Sequence, residues 1–497
     1  MVRVYYLACV LLGLLVALNT AAATASSDRP PPVRMDSRQL LGDADILQRS
    51  VEQLHPGLYR YNTPQQTSAH FAQLRQALRG NPTLAQAFLA FSRLAASIRC
   101  GHTSTNFYNQ PDAIAERLYA GQNRLPFYFR WVSGSMVITH NFSDDAGLLV
   151  GSAVTSINGV TPRAMLRRLL PLIAADGAND GKRLSALEVA GRDRYEAFDI
   201  LLPLLYPTIG SRLTLELRQP GRHALRRITV TALTQAERRK ENPANGIDPS
   251  QPLWSLRFPD ARYAVMDMPT WAVFNSRWDW RHFIESSFAE LARRGTPNLV
   301  IDLRHNPGGE SVIGNQLLAH LTATPVELPT FHALVRYRRV PEDLRAYLKT
   351  WDPTFKDWGT QAVPFDARFY RLTRAGDDAD RAIQPRSPHF SGHVFVLVGA
   401  VDSSATFEFA RQIRATGLAT LIGQTTGGNR RGINGVAFFF LQLPYSHIEV
   451  DLPLIGQFAE ATAPDAGLDP DVQVATQLSD IVHRRDAEMA AASALMR

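Results

Sequence analysis

Two short apolar runs constrain the fold of this chain more than any other feature. The segments NLVIDL and HVFVLV, at 298–303 and 393–398, consist mostly of Leu, Ile, Val and Phe. Strands of that kind are typical of parallel sheets, because helices cover both faces of such a sheet. Each run leads into a helix-like segment, GGESVIGNQLLAHL after the first and SATFEFARQIRATG after the second. The alternation predicts an α/β core over about 252–480.

Two further regions precede this core. Apolar positions recur at helical spacing within 37–105, which predicts an N-terminal helical domain. The region 120–235 is β-rich, and its segment GLLVGSAVTSINGVTPRAMLRRLL resembles part of a PDZ domain, a module that binds extended peptides at a sheet edge. Within the core, the segment 327–390 is rich in Tyr, Trp, Arg and Pro and is predicted to be an insertion.

The first residues have the pattern of a cleavable export signal. Arg3 precedes an apolar run, and small residues follow up to Ala25. The run is shorter than the ~20 residues that span a bilayer. We therefore expect a signal peptide over 1–25, a proline-rich linker over 26–36, and a periplasmic or secreted protein with no membrane span after cleavage.

Composition and missing motifs narrow the classes of partner. The chain has 497 residues, 45% hydrophobic and 20% charged, and its net charge of +7 comes without the Lys/Arg block of a nucleic-acid arm. The phosphate loops GxxxxGK and GxGxxG, the zinc helix HExxH and the elbow GxSxG do not occur. We expect no nucleic acid, cofactor or metal. Signal cleavage would leave Cys100 as the one cysteine, so no intramolecular disulfide is expected.

The ends of the two apolar runs carry the candidate chemistry. Ligands of open α/β sheets bind beyond the carboxyl ends of the strands, and these ends read RHNPGG and AVDSS. An oxyanion formed by attack from the Ser404 hydroxyl would meet the amide of Ala405 at a helix start. Gly308 or Gly309 can offer a second amide, because glycine permits a close backbone approach. The alternative is that Ser403 or Ser404 only caps the helix.

Four motifs in order carry a family resemblance. NLVIDLRHNPGG, VFVLVGAVDSSATFEFA, LIGQTTGG and GLDPDVQV are similar to motifs of the tail-specific, or C-terminal processing, family of serine peptidases. The resemblance covers about 37–480. It implies a crotonase-like ββα core, that is, a mixed sheet with flanking helices, and a polypeptide substrate. It also implies Ser404 as the nucleophile and the amides of Ala405, Gly308 and Gly309 as oxyanion donors.

The resemblance to the tricorn-like branch of this family implies a histidine base. In the best-known branch a lysine follows the Thr-x-Gly turn, but TTGGNRRGING contains no lysine, and arginine is a poor base. RCGHTST places His102 after the last N-terminal helix, where the tricorn-like branch has the histidine that serves the serine. His305, near the expected oxyanion donors, is the rival base.

The same branch implies a carboxylate that orients His102. The segment EATAPDAGLDPD offers Asp465, which is closest in position, and Glu460. Glu408 on the helix that follows Ser404 is a third candidate.

These features together predict a secreted serine endopeptidase that forms an acyl-enzyme on Ser404 with His102 as general base. The alternative is a non-catalytic protein that binds peptides or hydrophobic ligands on the same scaffold, as do the retinoid-binding proteins of the eye, whose core is similar. The run 438–440, three phenylalanines, predicts a buried strand rather than a substrate groove.

Overall fold

Side-chain caps define the starts of the first three helices. The structure is a computed structural model that describes residues 33–240, 250–327, 331–373, 382–459 and 462–496. Asp36 accepts a hydrogen bond from the Gln39 amide, and Thr63 and Thr83 each form a capping box with the glutamine three residues later. The four helices are α1 (Ser37–Leu54), α2 (Pro64–Ala77), α3 (Leu84–Ser97) and α4 (Asp112–Tyr119).

An antiparallel sheet follows the helices. Its strands are β1 (Phe127–Val132), β2 (Ser135–Asn141), β3 (Ala153–Ile157), β4 (Arg212–Arg218) and β5 (Leu225–Thr231). The helices of this region are α5 (Pro162–Leu169), α6 (Asp180–Ser185), α7 (Ala197–Leu205) and α8 (Gln235–Lys240), with a 3₁₀ turn at Leu170–Leu172. Each strand pairs with the next, in the order β1-β2-β3-β4-β5. The PDZ-like assignment of this sheet stays a prediction.

The rest of the chain contains two larger sheets and their helices. The strands are β6 (Ser255–Asp260), β7 (Tyr263–Asp267), β8 (Asn298–Asp302), β9 (Val326–Glu327), β10 (Phe331–Val335), β11 (Leu348–Lys349), β12 (Ala362–Pro364), β13 (Tyr370–Leu372), β14 (Ala382–Ile383), β15 (His393–Val398), β16 (Thr420–Gly423), β17 (Asn434–Gln442), β18 (Glu449–Ala459) and β19 (Val472–Gln473). The helices are α9 (Trp280–Arg294), α10 (Ser311–Leu321), α11 (Glu342–Arg345), α12 (Ala405–Thr416), α13 (Leu478–Val482) and α14 (Ala487–Leu495), with 3₁₀ turns at Pro353–Lys356 and Gly359–Gln361.

The α/β core is built on a six-stranded mixed sheet of order β19-β16-β15-β8-β7-β6. All neighbours in it are parallel except the edge strand β6, which runs antiparallel to β7. The two apolar runs form its central strands β8 and β15, and every residue of β8 is buried. The helices α9 and α12 end at Gly295 and Gly417, whose positive φ angles suit glycine. The predicted α/β core is therefore confirmed.

The predicted insertion contributes to a second six-stranded sheet, of order β11-β17-β18-β10-β13-β12. Its strands β10, β11, β12 and β13 extend the β17-β18 hairpin. The three phenylalanines lie on β17 as expected, and Phe439 is fully buried. The expectation of burial is wrong for Phe438 and Phe440, which are half-buried. Successive side chains of a strand point to opposite faces. Phe439 therefore points into the core, and Phe438 and Phe440 point to the other face.

Contacts group residues 34–497 into one unit. The predicted domain boundaries inside it stay predictions. The signal peptide over 1–25 and the first part of the linker over 26–36 lie outside the described residues. Within the described ranges, no helix has both the length and the apolar character that crossing a bilayer requires.

Phe288 tests how much the core depends on packing. Its ring is 1% exposed and stacks on His320 with 4.5 Å between ring centroids. We expect Phe288→Ala to lower the free energy of unfolding by about 3–5 kcal/mol, because truncation leaves a cavity. Phe274 is 67% exposed, so Phe274→Ala should change it by about 0.5 kcal/mol or less. Urea unfolding measures both, and equal midpoints would contradict the packing assigned to α9.

Candidate active site

Ser404 lies at a strained turn between β15 and α12. Its φ and ψ angles are 53° and −125°, a conformation that L-residues rarely adopt. Such strain costs about 1–3 kcal/mol and is typical of functional sites. The Ser404 side chain makes no capping hydrogen bond to α12 and is partly exposed. The capping alternative therefore finds no support at Ser404, whose hydroxyl is presented at the positive end of the helix.

The hydroxyl of the neighbouring Ser403 is already engaged. Ser403 is 2% exposed, and its Oγ donates to the carbonyl of Pro307 at 3.0 Å. The same Oγ accepts a hydrogen bond from Lys182 Nζ at 2.7 Å. Because the one proton of Ser403 is committed to a carbonyl, Ser404 is the better nucleophile of the pair.

The loop 306–309 packs against Ser404 and carries the candidate oxyanion donors. A Cβ placed on Gly308 would lie 2.8 Å from Ser404 Cβ, so glycine is needed for this approach. The Gly308 amide donates to Asn306 Oδ1 at 3.0 Å. Trp271 pairs with Gly309 in a parallel bridge that uses the carbonyl of Gly308 and the amide of Glu310. That pairing leaves the Gly309 amide directed away from Trp271, which makes Gly309 the freer second donor beside Ala405.

Two hydroxyls, one on α12 and one on the turn before it, hold this loop in place. Thr406 Oγ1 donates to the carbonyl of Asn306 at 2.9 Å, and Ser403 donates to the next carbonyl, that of Pro307. The buried Asn306 amide then donates to the carbonyl of Met268 at 2.7 Å. The Gly-Gly backbone is thus fixed relative to the start of the helix, as a preorganised anion site requires.

His102 presents one buried and unpartnered ring nitrogen. Its Nδ1 is buried and has no hydrogen-bond partner among the described residues. The ring contacts Phe438, with 5.8 Å between ring centroids. Burial lowers the pKa of His102 below its ordinary value, while the charge of Asp176 acts to raise it and that of Lys182 to lower it. The structure gives no hydrogen bond between His102 and Ser404 within its described residues.

The segment 176–182 joins His102 to the serine turn. Asp176 Oδ1 accepts a hydrogen bond from the amide of Gly101 at 2.8 Å, one residue before His102. Asp176 Oδ2 is buried without a partner among the described residues, and a Cβ on Gly101 would lie 2.7 Å from it. At the other end of the segment, Lys182 reaches Ser403. Burial lowers the pKa of Lys182, whereas the Asp176 carboxylate acts to raise it.

The predicted orienting acids have other partners in the structure. Asp465 Oδ1 accepts hydrogen bonds from the Ala178 amide and from Asn429 Nδ2, both at 2.8 Å. Glu408 pairs with Arg411 at 3.1 Å. Neither carboxylate contacts His102, and Glu460 lies outside the described residues. The role of each as orienting acid stays a prediction.

The rival base His305 belongs to a different environment. Its Nδ1 lies 2.7 Å from Arg192 Nη1, and a guanidinium can only donate, so this nitrogen accepts. Burial and the charges of Arg192 and Arg304 lower the pKa of His305 well below its usual value. Over the described ranges, no group of three His, Cys, Asp or Glu side chains is arranged to hold a metal ion.

Comparison with known proteins decides the family of this core. Residues 262–474, which contain the Gly-Gly loop and Ser404, match the model of peptidase family S41. Residues 262–474 are a peptidase family S41 domain. The protein is thus a serine-type peptidase by family, as the four motifs predicted.

Solved structures extend the likeness beyond the S41 core. Mature CPAF in complex with lactacystin superposes with a TM-score of 0.62 at 15% identity, covering 92% of this chain and 97% of that chain. A second structure of mature CPAF gives 0.59 at 16% identity, with 90% and 95% covered. At such low identity the likeness establishes the shared fold. Among curated proteins, no sequence matches this one.

Lys182 and Asp176 are the residues that sequence reasoning missed. The segment after the Thr-x-Gly turn contains no lysine, and Lys182 instead comes from α6, more than two hundred residues before the serine. The local sequence DGANDGKRLS reads as a turn followed by a short helix and carries no motif of its own. Only the folded contacts reveal its place.

Lys182 is expected to support peptidase activity through Ser403 and the oxyanion loop. Lys182→Met removes the 2.7 Å hydrogen bond to Ser403. We expect kcat to fall on the order of ten-fold or more with little change in KM, because a displaced oxyanion loop weakens transition-state binding. Lys356, whose Nζ donates to the carbonyl of Arg345, provides a matched control. Steady-state kinetics on a quenched peptide measures both variants, and equal kcat values would remove Lys182 from this role.

Proposed function

We propose that this protein is an endopeptidase in which Ser404 attacks the peptide carbonyl, His102 acts as general base and Asp176 orients His102. The observation that carries the proposal is the strained Ser404 turn facing the Gly308-Gly309 loop in an S41 core. A hydroxyl, the Ala405 amide at a helix start and the Gly309 amide at one point form an arrangement suited to acyl transfer.

The proposed steps use groups already described. The Ser404 Oγ forms a bond to the carbonyl carbon as its proton passes to His102, and the amides of Ala405 and Gly309 stabilise the oxyanion. Collapse breaks the C–N bond, and His102 returns the proton to the leaving amine. Water then attacks the acyl-enzyme by the same route and frees the acid product. Since Nδ1 of His102 is buried, Nε2 is the nitrogen that takes the serine proton.

Asp176 is preferred to Asp465 as the orienting acid on the basis of position. It binds the amide next to His102, it keeps an unpartnered buried oxygen, and its charge acts on the imidazole. The buried Nδ1 and the buried Asp176 Oδ2 are complementary, since one can donate and the other accept. A hydrogen bond between these two atoms would satisfy two buried polar groups at once.

The proposal extends to the setting in which the enzyme works. The basic residue, apolar run and small residues at the start of the sequence support action after export, in a periplasm or outside the cell. Detection of a mature N-terminus near residue 26 in the extracytoplasmic fraction supports this location.

Replacement of the two serines separates nucleophile from neighbour. We expect Ser404→Ala to abolish peptide hydrolysis and labelling by a fluorophosphonate, because the attacking oxygen is lost. Ser403→Ala should retain labelling at a reduced rate, because it loses only the contacts to Lys182 and Pro307. Labelling is read by intact-protein mass spectrometry. If Ser404→Ala is still labelled, the nucleophile is misassigned; if the wild type is never labelled, the non-catalytic binding function is the better account.

Two aspartate variants test the orienting acid. Asp176→Asn should lower kcat/KM by about a hundred-fold or more, because the imidazolium loses its counter-charge. The charge of Asp176 acts to raise the pKa of His102, so its removal should shift the acidic limb of the pH profile to lower pH.

Asp465→Asn is the matched comparison, since Asp465 binds Ala178 and Asn429 rather than the imidazole. We expect it to leave the acidic limb in place. A shifted limb in Asp465→Asn together with an unchanged one in Asp176→Asn would return the role to Asp465.

A further inference from the structure

An exposed aromatic surface lies beside the candidate base. It consists of Trp351, Phe438 and Phe440, and we call it the aromatic surface. Trp351 is 58% exposed, and its ring centroid lies 5.9 Å from that of Phe438 and 5.8 Å from that of Phe440. Scattered apolar residues are ordinary on protein surfaces, whereas a contiguous aromatic cluster with an exposed tryptophan is a mark of a binding site.

The fold places this surface through two independent elements. Strand β17 presents Phe438 and Phe440 on the face opposite the buried Phe439. Strand β11 of the insertion pairs with β17 and carries the chain to Trp351 two residues later. The predicted insertion therefore contributes Trp351 to the aromatic surface, and β17 contributes the two phenylalanines.

Contact with His102 ties the surface to the reaction. The Phe438 ring lies 5.8 Å from the imidazole, and a Cβ on Gly435 would lie 4.0 Å from His102 Cε1. A group resting on Phe438 is thus adjacent to the base. A substrate is the expected occupant of this surface, because the substrate has to approach His102 in the reaction. A second copy of the chain bound here would instead cover His102.

The adjoining backbone carries strain of its own. Between Gly435 and Phe438 the β17-β18 register shifts, and Val436 has a φ of 66° with its side chain 58% exposed. A β-branched residue at positive φ is a true outlier, and such strain collects at ligand-binding sites. The bulge exposes the apolar Val436 side chain, one residue after Gly435, whose backbone approaches His102.

We propose that the aromatic surface is a substrate subsite that binds a large apolar or aromatic side chain close to the scissile bond. The inference rests on the proposed peptidase function and adds to it the class of side chain recognised. Aromatic rings favour such ligands through buried area and edge-to-face or offset stacking. The enzyme should then cleave peptides selectively near Phe, Tyr, Trp or Leu.

The test compares peptides that differ at one position in wild type and Trp351→Ala. Cleavage sites are first mapped by mass spectrometry on an unstructured protein, and matched quenched peptides then carry Phe or Ser at the selected position. We expect Trp351→Ala to reduce the Phe-over-Ser ratio of kcat/KM about ten-fold, the scale of apolar pocket discrimination. Phe365→Ala is the control, because Phe365 is 43% exposed in the same insertion and its ring contacts His332 instead.

Two further measurements separate this inference from the peptidase proposal. The rate at which a small alkyl fluorophosphonate labels Trp351→Ala reports the reactivity of Ser404 apart from the subsite, because that probe does not fill it. In the Ser404→Ala background, the Kd of the Phe peptide should rise about ten-fold when Trp351→Ala is added.

The possible results distinguish failure of the peptidase proposal from failure of the subsite. A wild-type protein that is not labelled sinks the peptidase proposal, while the Kd comparison still decides whether the surface binds the Phe peptide. Normal labelling with a Phe-over-Ser ratio and Kd that ignore Trp351→Ala overturns the subsite alone. A dimer in sedimentation that Trp351→Ala dissociates, at unchanged selectivity, also overturns the subsite and assigns the surface to self-association.

Discussion

The hydrogen bonds of the segment 176–182 are the constraint on which the rest of the site depends. Asp176 holds the Gly101 amide, and the Asn179 side chain donates to the carbonyls of Thr426 and Gly428 at 2.8 and 2.9 Å. Lys182 completes the set at Ser403. One short stretch thus binds the end of the N-terminal helices, the Thr-x-Gly turn and the serine turn. This segment therefore fixes the positions of these three parts relative to one another.

The chemistry of that junction follows from burial. Asp176, Lys182 and His102 share a region of low dielectric, where an unpaired charge is expensive and a paired one is strongly oriented. The carboxylate and the ammonium act on the imidazole with opposite sign. Nearby, Asp402 is fully buried, and burial raises its pKa well above the usual value. Burial therefore moves the pKa of His102 and of Lys182 down and that of Asp402 up.

The sequence was a good guide to features that are local. The two apolar runs predict β8 and β15. The Gly-Gly and Ser-Ala motifs predict the loop and the turn that meet at Ser404. Lys182 and Asp176 were beyond reach, because their roles come from contacts far along the chain. Phe438 and Phe440 were misjudged for a simpler reason: a run of one residue type conceals the alternation of a strand.

The bounds of the S41 match have a consequence for how activity arises. The segment 262–474 holds the nucleophile and its glycine loop, whereas His102, Asp176 and Lys182 all precede it. Under the proposed mechanism, a protein cut to the family boundaries would keep the Ser404 hydroxyl but lack the base and the orienting acid that activate it. During synthesis the N-terminal part, which carries these three residues, is made before the segment that carries Ser404. Under this mechanism an incompletely synthesised or incompletely folded chain has no peptidase activity. Activity arises only when both parts of the chain are folded together.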